Sequence, residues 1–512
     1  MNRGATLFPA RAQPEDKIGS TLRIKNLISN GDNTLVLNTR FSDGLTDRLL
    51  IDGDLQSTDD RPLMVSVNPH GHWSDSDLNH NGIADNHEGI SLIQVGGKAS
   101  ANSVKLAGNY VARGAWAWGL YAFAPGKANH DARLLEGSGD RFWDYRLQNI
   151  MLSENGNAIP APPPPAPEVK PEPVPDPEIK PELQPDPDAG FQPQPTPETP
   201  VRPAVIPQVP AYISLPTAFL SFEENMLSLF KTHERDGSPF FVSGYKGSDR
   251  YHTAEDFRHY GYNFHSQYSG WMMGTRRTLV NTAQQIATLG LGVAWGELSM
   301  QPQARDGVSS SRFDTLNLSS LLTWQHGNGI RLSAPLGYTH FRGEVSTAMR
   351  GHVASPTAYS WHAGLEAEKN WQVGNHRFGP VAGLLYQHLH IHRLQDSDNA
   401  SVTWQMQRTP LYSLGAAWRY QGYPSLVKQL NLGGSLRYIQ RASHANQTRI
   451  GHGADGAAFR SGQGGNSLQL AAEMALKVTN NVKLTTQLQH QRRTEKEGIN
   501  DWGMTGGMTV TF

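Results

Sequence analysis

From about residue 239 to the C-terminus, apolar side chains alternate with small or polar ones in runs too long for an ordinary soluble sheet. Ala287, Leu289, Leu291, Val293 and Trp295 occupy one side of such a run, with Thr288, Gly290, Gly292 and Gly296 on the other. The pattern returns at Leu316, Leu318, Leu322 and Trp324, at Leu332, Leu336 and Tyr338, and at Tyr412, Leu414, Ala416 and Trp418. It ends with Met504, Met508, Val510 and Phe512. Successive side chains of a strand point to opposite faces, so each run describes a strand with one apolar face. Counting a first strand near Phe240–Tyr245, there are about twelve, many longer than ten residues. Soluble strands average about five or six residues, whereas crossing a bilayer at a tilt takes about 9–11.

Aromatic residues mark the ends of many runs, as at the two interfaces of a membrane barrel, and the opposite faces suit a wet or plugged lumen. Tyr260, Tyr262, Phe264 and Tyr268 are read as one more aromatic face, and Glu297 and Arg331 as lumen-facing charges. A large soluble barrel or sandwich is the alternative, but it gives aromatic strand ends no special role. Ahead of the strands, LPTAFLSFEENMLSLFKTHER (215–235) spaces its apolar residues for a helix with Pro216 near its start.

Upstream the composition changes twice. Between Pro160 and Pro210 lie about twenty of the 33 prolines, interleaved with Glu, Asp and Lys. Proline fixes φ and removes a donor, so this stretch reads as a semi-rigid spacer. Residues 1–152 carry short alternating segments such as TLRIKNL, NTLVLNT and ISLIQV, with Gly, Asn or Asp between them. Stacked short strands follow, in a parallel solenoid or a sandwich. The net charge of -1 gives no bulk attraction for nucleic acid, and the absence of cysteine excludes disulfides and thiolate metal sites. MNRGATLFPARAQPEDK lacks the apolar core of a signal peptide.

One motif stands apart. DLNHNGIADNHE matches the twelve-residue calcium loop position for position. Asp77, Asn79 and Asn81 fill the first ligand places, Ile83 would offer its carbonyl, and Asp85 and Glu88 fill the ninth and twelfth. Gly82 sits at the sharp turn. The flanks LMVSVN and GISLIQV alternate as strands, so this is not an EF-hand. The expectation is a Ca2+ loop between strands; an Asx-rich turn without metal is the alternative. His70, His72, His80 and His87 raise a transition metal as a further alternative, although loop histidines are ordinarily no more than that.

The helix, the twelve long strands and the ending GMTVTF together resemble the autotransporters of Gram-negative bacteria, secreted by the type V route. The resemblance spans nearly the whole chain. LLIDGDL, EGISLIQVGG, GLYAF and RFWDYRLQN resemble the cap of a pertactin-like passenger. It implies an all-β chain in three parts. Residues 1–152 would be the cap end of a β-solenoid passenger and 153–210 a linker. Residues 211–512 would be a 12-stranded transmembrane β-barrel, its strands at about 239–512, plugged by the helix. It also implies a place in the outer membrane with the passenger fragment at the cell surface, contact with outer-membrane lipid, and Phe512, Val510 and Met508 as the signal read by the barrel assembly machinery. Family members begin with a signal peptide and a longer passenger, so either a truncated or degenerate gene product or a start upstream in another reading frame is expected.

Catalytic motifs do not appear: there is no G-x-S-x-G, H-E-x-x-H or P-loop. Some family members cut their passenger at an Asn-Asn pair on the helix, but Asn225 is followed by Met226. No enzyme is expected. Export or display of the passenger is the leading reading, with an adhesin of unknown ligand as the alternative and a simple diffusion porin as a third class.

Overall fold

The computed structural model describes residues 4–9, 18–57, 61–154, 200–235, 239–406, 410–424, 427–441, 446–451, 456–461 and 465–510. The chain forms two compact units, one of residues 1–110 and 118–204, the other of residues 111–117 and 205–512.

The first unit is built on parallel ladders. Thr6–Leu7 pairs with Thr34–Arg40, then Leu63–His70, then Val104–Leu106. Thr21–Ile24 pairs with Arg48–Ile51, and that strand with Ile90–Val95. Leu27–Ile28 pairs with Leu55–Gln56. Leu35, Leu37, Leu49, Ile51, Leu63 and Val65 point inward and are wholly buried, which is what the short alternating segments require. The loop between Leu63–His70 and Ile90–Val95 holds the calcium motif. Trp143–Asn149 and Trp116–Phe123 then add antiparallel strands to Ile90–Val95. Phe41 and Trp118 meet edge to face there, 4.7 Å apart. This antiparallel layer covers a ladder edge that would otherwise offer unpaired backbone.

The second unit begins with helix α1 (Val209–Arg235). Twelve long strands follow: β1 (Phe240–His252), β2 (Asn263–Asn281), β3 (Gln285–Gln303), β4 (Ser309–His326), β5 (Ile330–Thr347), β6 (Thr357–Lys369), β7 (His376–Ile391), β8 (Pro410–Gly422), β9 (Gln429–Arg441), β10 (Ser467–Lys477), β11 (Val482–Arg493) and β12 (Gly498–Val510). Neighbours pair antiparallel throughout. β1 pairs with β12 from Phe241 opposite Thr509 to His252 opposite Gly498, and the sheet closes. β2 to β5 run 18 or 19 residues each, well beyond the bilayer requirement. Leu291, Leu318, Leu336, Leu365, Leu414 and Leu488 stand exposed on the outer wall with Trp271, Trp295 and Trp418. No helix of the described residues is long and apolar enough to cross a membrane, and strands make the crossing here.

The ends of the barrel differ. Residues 282–284, 327–329 and 478–481 are short turns, on the side where α1 ends and β12 finishes. The opposite end carries the long connections 392–409 and 442–466. These contribute Leu394–Gln395, Ser401–Gln405, Asn446–Ile450 and Ala457–Ser461 to a separate antiparallel sheet. In outer-membrane barrels short turns face the periplasm and long loops face outward.

Several expectations change in detail. The helix starts at Val209 rather than 215, and Pro216 lies inside it. The spacer stops short of Pro210: Val201–Pro203 pairs with Met151–Ser153, and Val205, Ile206 and Gln208 are buried. Residues 155–199 lie outside the described residues. Tyr260 is in a turn at φ +57°. Tyr262, Phe264 and Tyr268 are buried, while Trp271, of opposite parity, is 57% exposed. That aromatic face therefore lines the interior, because inside and outside are set by the partner strands and not by aromatic content. Glu297 shares its parity with outward-facing Leu291 and Trp295 and pairs at 2.8 Å with the exposed Arg312, so it is not a lumen charge.

Candidate functional site

The barrel interior is filled by α1, and the helix sequence explains how. Its aromatic side chains meet inward-facing aromatics of the wall. Phe219 stacks on Phe341 at 4.2 Å and meets Phe313 edge to face at 4.8 Å. Phe222 meets Tyr268 at 5.8 Å. Phe230 packs over Gly292 so closely that a Cβ there would lie 2.5 Å from its ring; a glycine at this inward position leaves room for the helix. Leu227 joins Leu385, Leu411 and Ile439 in a small apolar cluster.

Polar residues of the helix find polar partners on the wall. Ser221 Oγ donates to Asp249 Oδ2 at 2.7 Å, and Asn225 Nδ2 donates to Asp249 Oδ1 at 3.2 Å. Gln489 Nε2 donates to Asn225 Oδ1 at 2.8 Å. Glu224 is paired with Arg441. Glu223 Oε1 lies 3.3 Å from His362 Nδ1, both side chains fully buried. Lys231 Nζ reaches Glu366 Oε2 at 3.0 Å, and Arg437 reaches the same oxygen at 2.6 Å. A buried charge is tolerated only when paired and hydrogen-bonded. The Glu224–Arg441 and Lys231–Glu366–Arg437 contacts meet that condition and tie the helix to β6 and β9, while the Asp249 and Gln489 bonds tie it to β1 and β11.

At the long-loop end the start of α1 is also held. Gln208 Nε2 donates to Asp396 Oδ2 at 3.1 Å and Asp398 Oδ2 at 2.9 Å. Tyr212 Oη donates to Asp396 Oδ2 at 3.2 Å. Burial raises the Asp396 carboxyl above its ordinary value, opposed by the Gln208 bond. Trp404 Nε1 donates to the Tyr212 carbonyl at 2.9 Å. Such an interior binds its own helix as a plug. Sequence reasoning missed Asp249, Glu366, Arg437 and Arg441. Charges at inward parity on long strands were the available signal, but their partners were not readable.

In the first unit, residues 77–88 form a loop held by hydrogen bonds to its own side chains. Glu88 Oε1 accepts from Leu78 N at 2.9 Å and Asn79 N at 3.1 Å. Asp77 accepts from Asn81 N and Gly82 N at 3.0 and 2.8 Å, with Gly82 at φ +73°. Asn79 Nδ2 and Asn81 Nδ2 both donate to Asp85 Oδ2 at 2.8 Å. Ile83 N donates to Asn81 Oδ1. Burial raises the Glu88 carboxyl, and the nearby Asp77 and Asp85 charges add to it. Among the described residues no three His, Asp or Glu side chains form a metal cluster by themselves. His87 Nδ1 lies 2.8 Å from Asn86 Oδ1, and His80 is in a turn at φ +57°.

Of the residues expected to form an assembly signal, Met508 is on the outer wall of β12, 49% exposed. Val510 pairs through its backbone with Val482. Phe512 lies outside the described residues. In the closed barrel β12 has a partner on both sides.

Residues 240–489 match the family model for the autotransporter beta-domain. Among solved structures, the chain is similar to the transport unit of the autotransporter AIDA-I from Escherichia coli, with 12% identity over 58% of this chain and 98% of that one and a TM-score of 0.47. It is similar to the translocator domain of the autotransporter NalP from Neisseria meningitidis, with 13% identity over 59% and 100% and a TM-score of 0.45. A third likeness is to the beta domain of the Bordetella autotransporter BrkA, with 13% identity over 54% and 100% and a TM-score of 0.37. No curated protein matches. At these TM-scores the family model identifies the barrel, and it does so over β1 to most of β11. Over residues 240–489 this chain carries an autotransporter β-domain, an outer-membrane barrel.

Proposed function

We propose that the barrel serves as the translocator and membrane anchor for the chain's own N-terminal part, which it exports or displays at the cell surface. The observation that carries this reading is the path of the chain through the second unit. The chain enters the barrel at the long-loop end, descends the lumen as α1, and turns into β1 at the short-turn end. A segment upstream of α1 therefore emerges on the side that faces outward in barrels of this kind. The partners in this reading are outer-membrane lipid along the exposed leucine wall and the barrel assembly machinery acting on the last strand. The parallel ladders of the first unit suit the end of a solenoid passenger, where an antiparallel layer closes the stack. No catalytic step is part of this reading.

The test is export. A reporter fused ahead of residue 1 behind a signal peptide should become protease-accessible on intact cells. A reporter that stays in the periplasm while the barrel inserts would overturn the proposal. An adhesin role is the finer form of the same reading, and aggregation of cells displaying the native chain measures it. A diffusion porin predicts large stable conductance, against the low conductance expected of a lumen filled by α1.

A further inference from the structure

We propose that the loop Asp77–Glu88 binds one Ca2+ ion, through the carboxylates of Asp77, Asp85 and Glu88, the side-chain oxygens of Asn79 and Asn81 and the carbonyl of Ile83.

The spacing of oxygen-bearing residues is one observation; the state of Glu88 is a second, independent one. Glu88 is 2% exposed, and its Oε2 is buried with no hydrogen-bond partner. The carboxylate is turned into the loop, because its other oxygen accepts from Leu78 N and Asn79 N. A buried carboxylate oxygen without a donor is costly, and a cation removes that cost. The surroundings of Asp85 point the same way. Two amide groups, from Asn79 and Asn81, converge on Asp85 Oδ2 at 2.8 Å each. Both put a positive dipole end where a cation would lie between the side chains. A half-turn of a side-chain amide exchanges its nitrogen for its oxygen, and the two ends are assigned from the hydrogen-bond pattern. Turning these two amides to present oxygen gives up the bonds from Asn81 N to Asn79 Oδ1 and from Ile83 N to Asn81 Oδ1, so a bound ion has to replace both contacts. Among the described residues the three carboxylates do not stand as a cluster, so binding would have to draw them together around the ion.

Oxygen ligands in an irregular ring favour Ca2+ over Mg2+, which demands near-ideal octahedral geometry and keeps its waters. The affinity expected for a site of this charge is about 10⁻⁴–10⁻³ M, as in extracellular modules. Binding would also stiffen the sheet beside the loop. Gln148 Nε2 donates to the Asp85 carbonyl at 2.6 Å, and Arg146 Nε donates to the Glu88 carbonyl at 2.7 Å. Both come from Trp143–Asn149, so an ion that fixes the loop also fixes that strand.

The experiment uses the full chain folded in detergent and stripped with EDTA, titrated with CaCl2 or MgCl2 by calorimetry and followed by hydrogen exchange. The expected result is a one-site heat with Ca2+, at least tenfold weaker with Mg2+, together with slower exchange over residues 77–88 and 143–149. Asp77→Asn and Asp85→Asn should weaken Ca2+ binding at least tenfold, and Leu78→Ser, whose side chain is 72% exposed, should not. Asp85→Asn serves if Asp77→Asn fails to fold, because Asp85 holds only the two amides through its side chain. No heat from the folded chain at millimolar Ca2+ overturns the proposal. So does a heat that both ligand substitutions leave unchanged, which would place the ion elsewhere.

Discussion

Trp404 donates its indole N–H to the carbonyl of Tyr212 at 2.9 Å, and Tyr212 lies four residues before Pro216 inside α1. Proline has no N–H, so a proline within a helix leaves the carbonyl four residues earlier without its helical partner. A tryptophan from the long connection 392–409 supplies that missing donor. Trp404→Phe keeps an aromatic ring against Tyr212 but leaves the carbonyl unsatisfied. The expected cost is about 1–3 kcal/mol. It would be read as faster hydrogen exchange over residues 209–216 and a lower urea midpoint for the folded barrel.

The Lys231–Glu366–Arg437 group holds the lower part of the helix to the wall. Glu366→Ala removes the carboxylate that both Lys231 and Arg437 contact, and breaking a buried pair costs about 3–5 kcal/mol. Lys231→Met removes the helix side alone and leaves Arg437 paired with Glu366. That variant should keep the barrel closed while loosening the plug. Planar-bilayer recordings should show more frequent or larger openings than the native chain; equal conductance would mean that this ion pair does not retain the helix.

Leu318 is 49% exposed on β4, opposite Val293 and Tyr338 on the neighbouring strands. If this wall meets lipid, Leu318→Arg should cost about 2–4 kcal/mol near the bilayer midplane. Ser319, on the inner face of the same strand, is the comparison: Ser319→Ala should cost far less. Equilibrium unfolding in lipid vesicles measures both.

In the first unit, burial raises the Asp144 carboxyl above 3.8, partly offset by Arg146 and Ser91. The folded state therefore holds this proton at a pH where the unfolded chain has released it. Stability contributed by the group declines as pH rises from about 3.8 through the raised value. Asp144→Asn should flatten that slope, seen as a smaller change in exchange protection of residues 143–149 across the acid range. The Asn variant also loses the 2.8 Å pair with Arg146, so it should be less protected at neutral pH.

The alternation of Leu, Trp and Tyr with small residues marked the long strands and their outward faces, because side-chain direction along a strand alternates by covalent geometry alone. Leu291, Leu318, Leu336 and Leu414 are outside as the pattern required. The turn at Gly82 was equally readable, since its positive φ and its bond to Asp77 are local. Tyr268 and Glu297 were not, because which parity faces lipid depends on the neighbouring strands. The true start of α1 was hidden because Pro216 looks like an N-terminal signal until Trp404 is brought to Tyr212, far along the chain. The partners of Asp249, Glu366 and Arg441 were likewise decided only by closure of the sheet. Closure fixes the register that places residues remote in sequence within hydrogen-bond distance.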